Sequence, residues 1–164
     1  MMKRVRINAG KVGLVFKKGD YQKVIARGTH WVGFRTKVMV YDLTKAFVAP
    51  IALEILLQDQ GLEAMLHVIE VKDAELVLVS ENGNLKQVLT AGKYAFWKGL
   101  IDYGFVKADL SKIYITEDIS KAMLGHPQLR TYVRTLEVAA YEKAVLLVDD
   151  VYIKILESGT YYFW

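Results

Sequence analysis

The chain has 164 residues, a net charge of +4, 53% hydrophobic residues and no cysteine. This length and apolar content suit one ordinary domain or two small ones and exclude a fully disordered chain. The lack of cysteine excludes disulfides, thiolate metal ligands, a cysteine nucleophile and palmitoylation.

Positive charge is concentrated near the N-terminus. Residues 1–40 hold ten Lys or Arg and one acid, a net charge of +9, whereas residues 41–164 have a net charge of −5. Such asymmetry is typical of contact with an anionic partner, although a solvated hairpin face gives the same pattern. The candidate contacts to an anionic surface are Lys11, Lys17, Lys18, Lys23 and Arg27. If they form such a contact, they are expected to share one exposed face.

Three similar stretches, RGTHW from Arg27, AGKYAFW from Ala91 and SGTYYFW from Ser158, indicate an internal repeat. Gly28 and Gly92 are 64 residues apart, and Gly92 and Gly159 are 67 apart. The predicted domains are a first repeat over 4–67, a second over 68–134 and a partial third over 135–164.

Each repeat reads as a β-hairpin followed by an aromatic strand. The apolar runs GLVF, LVLV and VLLV lead into the turns KKGD, ENGN and VDD. The next strand alternates apolar and polar residues, which predicts a sheet with one solvated face. The recurring glycine of the opening stretches then turns the chain with a positive φ.

Periodicity changes after VMVYDL and FVKADL, where apolar residues recur at helical spacing. In the first repeat these positions are Ala52, Ile55, Leu56, Leu62, Met65 and Leu66, and in the second they are Ile119, Ala122, Met123, Leu129, Tyr132 and Val133. The pattern predicts two short core-facing helices in each complete repeat. The fold class is therefore an α+β duplicated module of short antiparallel strands plus two short helices, followed by a third hairpin.

The repeated aromatic residues are interpreted as packing positions between repeats, with an exposed binding surface as the alternative. These candidates are Trp31, Phe96, Trp97, Tyr161, Tyr162, Phe163 and Trp164. The third hairpin is expected to dock on the second repeat through Tyr161 and Phe163, or through Tyr162 and Trp164 on the other strand face.

Residues arranged for chemistry are scarce. Neither His30 nor His67 has a second ligand at metal-binding spacing, and His126 precedes a proline at a predicted helix break. The pair Asp149-Asp150 occupies a hairpin turn, and no phosphate-binding glycine motif is present. We therefore predict no catalytic, cofactor-binding or metal-binding residue, no cofactor, and a protein that is not an enzyme.

The segment VRINAGKVGLVFKKGDYQKVIARGTHWVGFRTKVMVYDL resembles the opening of the SPFH (band 7) domain of stomatin-like proteins, the slipins. Gly13-Leu14-Val15-Phe16, Gly19, Gly28 and Asp42-Leu43 occupy the places of the family's strand core, turns and strand end. Within the partial third repeat, the stretch from Val145 to Trp164 resembles the same opening again, and residues 135–164 would begin the SPFH domain proper. The resemblance implies a membrane-associated scaffold that forms large oligomers.

The leading hypothesis is the N-terminal region of a bacterial slipin-like protein, acting as a non-enzymatic interaction or scaffold module in membrane-surface association or oligomeric assembly. Its expected partners are a membrane surface, another protein or further copies of itself. No signal peptide or membrane-spanning run is present, so we expect a cytoplasmic protein. The resemblance implies a peripheral position on the inner face of the membrane. The alternative is a nucleic-acid-binding or vault-like ribonucleoprotein-shell module.

Overall fold

The computed structural model describes all 164 residues and contains fourteen β-strands and three very short helices. In chain order the elements are β1 (Met2–Ile7), β2 (Lys11–Lys17), β3 (Asp20–Ile25), β4 (Gly28–Gly33), β5 (Thr36–Asp42), α1 (Leu53–Leu56), α2 (Gln60–Glu63), β6 (Leu66–Val71), β7 (Glu75–Glu81), β8 (Asn84–Leu89), β9 (Gly92–Trp97), β10 (Tyr103–Asp109), α3 (Lys121–Leu124), β11 (Arg134–Val138), β12 (Ala144–Val148), β13 (Val151–Leu156) and β14 (Gly159–Phe163).

The strands pair in the same order in each repeat. In the first repeat β4 pairs antiparallel with β1, while β2 is flanked by β3 and β5. In the second, β9 pairs with β6, and β7 is flanked by β8 and β10. The β11–β14 and β12–β13 pairs repeat this pattern without a fifth strand. The predicted fold, a duplicated module of antiparallel hairpins with short helices and a further hairpin, is confirmed.

The turns of the three equivalent hairpins each contain two residues with positive φ. The values are +53° and +94° at Lys18 and Gly19, +50° and +83° at Asn82 and Gly83, and +50° and +63° at Asp149 and Asp150. Two consecutive positive φ angles are the mark of a type I′ turn, whose twist matches that of the flanking strands. The predicted turns at ENGN and at Asp149-Asp150 are confirmed.

Contacts divide the chain into two compact lobes. The N-terminal lobe comprises residues 1–70, 81–83 and 92–103. Its sheet β3–β2–β5 is covered on both faces. On one face, Val15 packs with Ile7 and Ile25 against the β1–β4 sheet. On the other face lies a larger core that β2, the helices and the β6–β9 sheet build together; its buried members are Val12, Leu14, Phe16, Leu56, Leu62, Leu66 and Trp97.

The C-terminal lobe comprises residues 71–80, 84–91 and 104–164. Its main core joins β7, β10, α3 and the end of the chain, and its buried members are Leu76, Leu78, Ala108, Leu124, Leu129 and Trp164. A smaller core of Val138, Leu146, Leu156 and Phe163 lies between the β11–β14 and β12–β13 sheets.

The helices differ from the prediction in number and phase. Two form in the first repeat, but the second repeat contains only α3. After α3, Arg130 makes an α-type hydrogen bond to the carbonyl of His126, and three-residue turns follow. The second repeat has His126 where Asp59 caps α2, so this segment lacks a preferred N-cap residue. The predicted Ile55 is half exposed and Met123 is partly exposed, whereas Leu56 and Leu124 are buried.

Candidate interaction surfaces

Trp97 from the second repeat lies in the core of the first. It ends β9, is 1% exposed, and lies with its ring centroid 4.9 Å from that of Phe47 and 6.0 Å from that of Tyr41. The adjacent β9 residue on this face is Ala95, and β6 contributes Leu66 and Val68. Trp97 of the second repeat therefore packs with residues of the first repeat inside the N-terminal lobe.

Trp164 has the equivalent place in the C-terminal lobe. It packs with Tyr162 against the core that contains Leu124 and Leu129 of the second repeat. Its backbone N–H donates to the carbonyl of Ile113 over 3.0 Å. Both expected docking modes contribute, since Tyr162 and Trp164 pack in the main core of the second repeat, while Tyr161 and Phe163 share the smaller core with Ile113.

The other strand face of the third hairpin packs mainly within its own repeat. Phe163 and Tyr161 lie with Val138 and Leu146 in the smaller core of the C-terminal lobe. Phe163 also makes a ring contact with Tyr114 of the second repeat, at a centroid distance of 6.0 Å. Phe96, on the corresponding strand of the second repeat, is buried as well.

The first repeat presents an uncovered version of the same sheet face. Residues Met2, Arg4, Trp31 and Gly33 stand where the second repeat has Leu66, Val68, Ala95 and Trp97. Met2 pairs with Gly33 and Arg4 with Trp31, so these side chains share one face of the β1–β4 sheet. Trp31 is 62% exposed, unlike the other predicted aromatic packing residues. We call these four residues, with Arg6 beside them, the N-terminal face.

The hairpin β12–β13 carries a second uncovered apolar patch. Val145 pairs with Ile155, and Leu147 pairs with Tyr152, so the four side chains form one cluster. Their exposed fractions are 61% for Val145, 53% for Leu147, 59% for Tyr152 and 50% for Ile155. We call this cluster the C-terminal face.

The C-terminal face corresponds to surfaces that are covered in both complete repeats. Its first-repeat counterparts Leu14, Phe16, Tyr21 and Val24 all pack in the large core of the N-terminal lobe. The second-repeat counterparts Leu78, Leu85 and Val88 pack in the main core of the C-terminal lobe. The sequence analysis did not identify this face. The signal lay in the apolar residues at these positions, which match core positions of the first repeat.

The predicted anionic-surface residues are distributed over strand and turn positions. Val12, Leu14 and Phe16 face the large core, so Lys11 and Lys17 lie on the opposite side of β2, about 20 Å apart. Lys23 pairs with Val15 and shares that side. Lys18 and Arg27 lie outside the strands, in the connections after β2 and β3. Their binding to an anionic surface stays a prediction.

Lys18 does join two basic residues that the sequence analysis had not selected. An open pocket of about 370 Å³ in the N-terminal lobe has Lys18, Arg35 and Lys37 among its lining residues. The remaining lining residues are Phe16, Gly19, Met39, Pro50 and Ile51. Lys37 pairs across strands with Phe16, which places an ammonium group at the edge of an apolar floor. The arrangement suits an anion that carries an apolar portion.

Asp59 holds together the hairpin and helix α2 of the first repeat. Its carboxylate accepts hydrogen bonds from the Tyr21 hydroxyl at 2.7 Å, from the Gly61 N–H at 2.9 Å and from the Val24 N–H at 3.2 Å. Burial opposes the charged carboxylate, but these bonds outweigh it and hold the pKa of Asp59 below its ordinary value. Burial, followed by the bond to Asp59, raises the pKa of Tyr21.

His30 and His126 each interact with a backbone group of their own segment. His126 occupies the second-repeat counterpart of Asp59, and its Nδ1 accepts a hydrogen bond from the Gln128 N–H at 3.3 Å. His30 Nε2 lies 2.7 Å from the carbonyl oxygen of Ala26. Burial, with a smaller effect of Lys98, lowers the pKa of His67. No group of three or more His, Asp or Glu side chains is arranged to hold a metal ion.

Comparison with known proteins identifies no relative: no family model matches the chain, and no curated protein or solved structure shows significant similarity to it. None of the three helices is long and apolar enough to span a membrane.

Proposed function

We propose that the protein is a non-enzymatic interaction module of the slipin-like SPFH type, which supports assembly through the exposed faces of its repeats. The observation that carries this proposal is the C-terminal face. Its apolar side chains stand at positions whose counterparts are packed in two other copies of the same hairpin.

An exposed cluster of this kind is a typical docking surface. Scattered apolar residues are normal on a protein surface, but a contiguous patch marks a binding site. Val145, Leu147, Tyr152 and Ile155 are contiguous by their strand pairing. Tyr152 adds an amphipathic ring, a residue type that contributes strongly to protein interfaces.

The sequence has no cysteine, so a variant with one introduced cysteine carries a single reactive thiol. A Tyr152→Cys variant reports solvent access to the C-terminal face through its rate of alkylation. The matched control is Val48→Cys, at an apolar position that is 69% exposed in the N-terminal lobe. We expect the thiol at position 152 to be protected in cells relative to dilute purified protein, and the one at position 48 to react equally in both. Equal reactivity of position 152 in both settings contradicts the proposal.

The basic pocket favours a second activity, association with an anionic membrane surface. Lys18, Arg35 and Lys37 converge on one opening, and each basic residue near an anionic bilayer contributes about 1 kcal/mol. A Lys18→Glu, Lys37→Glu double variant is expected to lose flotation with anionic vesicles at low salt. A Lys45→Glu variant, altered at an exposed lysine outside the pocket, serves as the charge-reversal control. Equal flotation of the wild type with neutral and anionic vesicles contradicts membrane association by this route.

A further inference from the structure

Three basic side chains meet at one end of the β2–β5 strand pair, around the basic pocket of the N-terminal lobe. Lys18 and Arg35 lie just beyond the final residue pair of this ladder, one next to each strand. Lys37 lies opposite Phe16, in the second pair from the same end. The three side chains are exposed, and none forms an ion pair with a carboxylate. Three uncompensated positive charges therefore surround one opening.

Lys37 lies on the side of β5 that faces the large core. Met39 and Tyr41 follow it at alternate positions on this strand, and both pack against that core. Arg35, two residues before Lys37, continues the same alternation in the other direction. The sheet therefore places these charges at the border of the apolar core, where an ordinary surface lysine or arginine has no reason to lie.

The floor of the pocket is apolar. Phe16 is 7% exposed and belongs to the large core, and Met39 and Ile51 pack against that core at its edge. The volume of about 370 Å³ has room for about twelve water-sized groups. A cationic rim above an apolar floor of this size suits an anion that carries a short apolar portion.

The second repeat has the same strands without this chemistry. Its positions equivalent to the three bases hold Asn82, Asp102 and Gly104. A Cβ at Gly104 would lie 2.5 Å from the Oγ of Ser80, so this copy has no room for a lysine there. The module therefore folds without basic residues at these positions, and their presence in the first repeat fits a binding role.

We propose that this pocket binds a phosphate monoester with a short apolar portion. Such an ester carries a charge of about −1.5 to −2 at neutral pH, which the three bases balance. The planar guanidinium of Arg35 can donate two hydrogen bonds to its oxygens, and Lys18 and Lys37 supply ammonium donors. The proposal rests on the anion-binding role given to the pocket above and names the chemistry that the pocket recognises.

Isothermal titration calorimetry of the purified chain with hexyl phosphate tests the pocket. We expect hexyl phosphate to bind about tenfold or more tightly than inorganic phosphate, because each buried methylene contributes up to about fourfold. Hexanoate has an apolar chain of similar length but a single negative charge, and it should bind more weakly than hexyl phosphate. No binding of hexyl phosphate, or an affinity equal to that of inorganic phosphate or of hexanoate, overturns the proposal.

Variants of the basic residues locate the binding. Arg35→Gln and Lys37→Met are each expected to weaken hexyl phosphate binding about tenfold, as for loss of a hydrogen bond to a charged group. Lys45→Met removes an exposed lysine outside the pocket and should bind like the wild type. Equal losses in Lys37→Met and Lys45→Met would indicate attraction by net charge alone and overturn the proposal. Circular dichroism melting checks the fold, and Arg35→Lys, which keeps the charge without the planar fork, replaces Arg35→Gln if that variant does not fold.

Vesicle flotation distinguishes a lipid headgroup from a soluble ester. Vesicles of phosphatidic acid, a phosphate monoester, are compared with vesicles of phosphatidylglycerol, a diester, at equal surface charge. If the ester is a lipid, the wild type floats with the monoester vesicles at a salt concentration that releases it from the diester vesicles, and hexyl phosphate competes. If hexyl phosphate binds and the protein floats with neither, the ligand is a soluble ester and the proposed membrane association is wrong. Equal flotation with both vesicles and no hexyl phosphate binding leaves membrane association standing and overturns the phosphate monoester site.

Discussion

The indole Nε1 of Trp164 donates a hydrogen bond to the carboxylate of Glu117 over 3.2 Å. Trp97, one repeat earlier, lies in an equivalent core, yet its indole N–H is buried without a protein acceptor. Pro50 stands where the second repeat has Glu117, and proline has no side-chain acceptor. The same packing position is therefore satisfied in one lobe and unsatisfied in the other.

This difference predicts unequal costs for the same substitution. Both Trp164→Phe and Trp97→Phe lose ring volume, but only Trp164→Phe loses a hydrogen bond to a charged group. Trp97→Phe instead removes a buried unsatisfied donor, so we expect it to be less destabilising than Trp164→Phe by about 1–3 kcal/mol. Urea denaturation followed by circular dichroism measures the two losses. Equal losses would show that the Glu117 contact contributes nothing.

Asp59 should make the first repeat sensitive to acid. Its pKa is lowered in the folded state, so its contribution to stability is present above the unfolded value near 3.9 and is lost as pH falls through the lower folded value. Asp59→Asn keeps an oxygen that can cap α2 but loses the charge that strengthens the bonds from Tyr21 and Val24. We expect it to cost about 1 kcal/mol at neutral pH, and its stability difference from the wild type to narrow below about pH 4. Thermal melts across pH measure it, with Asp73→Asn at an exposed position as the control. A stability difference between Asp59→Asn and the wild type that does not change with pH contradicts this role.

The turn at Asp149-Asp150 offers a stabilising substitution. Asp150 has a φ of +63° where the two other equivalent turns carry glycine. A non-glycine residue in the left-handed region costs roughly 1 kcal/mol or more, partly offset by the greater unfolded-state entropy of glycine. We therefore expect Asp150→Gly to raise the stability of the C-terminal lobe by up to about 1 kcal/mol, as measured by thermal midpoint. The reverse change, Gly83→Asp, should lower the stability of the protein. If both variants shift the thermal midpoint in the same direction, this explanation of the turn is wrong.

The orientation of α3 about its axis determines which of its side chains is buried in the core. Leu124 is buried at 6% exposure, whereas Met123, the residue that the repeat alignment matched with Leu56, is only partly buried. Leu124→Ala is expected to cost about 2–5 kcal/mol and Met123→Ala clearly less. Leu56→Ala, at a fully buried position, provides the reference for the N-terminal lobe. A larger loss at Met123 than at Leu124 would contradict the observed helix phase.

Hairpins and turns were predictable because their determinants are local. Apolar alternation and the pairs Lys18-Gly19 and Asn82-Gly83 specify strand faces and turn type within a few residues. The helices were less predictable, since four-residue helices have hardly one turn in which to show a period. Their phase depends on tertiary contacts, which selected Leu124 over Met123 for the core.

Whether an aromatic residue is buried or exposed depends on the repeat in which it lies. Trp31 and Trp97 both follow a recurring glycine, but only the core around Trp97 has helices from the repeat before it. Repetition therefore predicted packing at both positions, whereas the structure covers only one. The Trp164–Glu117 bond spans 47 residues, and nothing in the sequence pattern links the two. The basic pocket likewise combines β2, β5 and the segment after it, which adjacency in sequence does not bring together.

The position of Trp97 in the chain also determines when the core of the first repeat is completed during synthesis. The core of the first repeat is complete only when this ring is in place, although Trp97 follows the end of that repeat by about thirty residues. At roughly 5–20 residues per second, the ribosome adds those residues in about two to six seconds. During that interval the apolar side of β2 is covered by the helices of its own repeat but not by Trp97, and a chaperone that binds apolar strands has time to reach it.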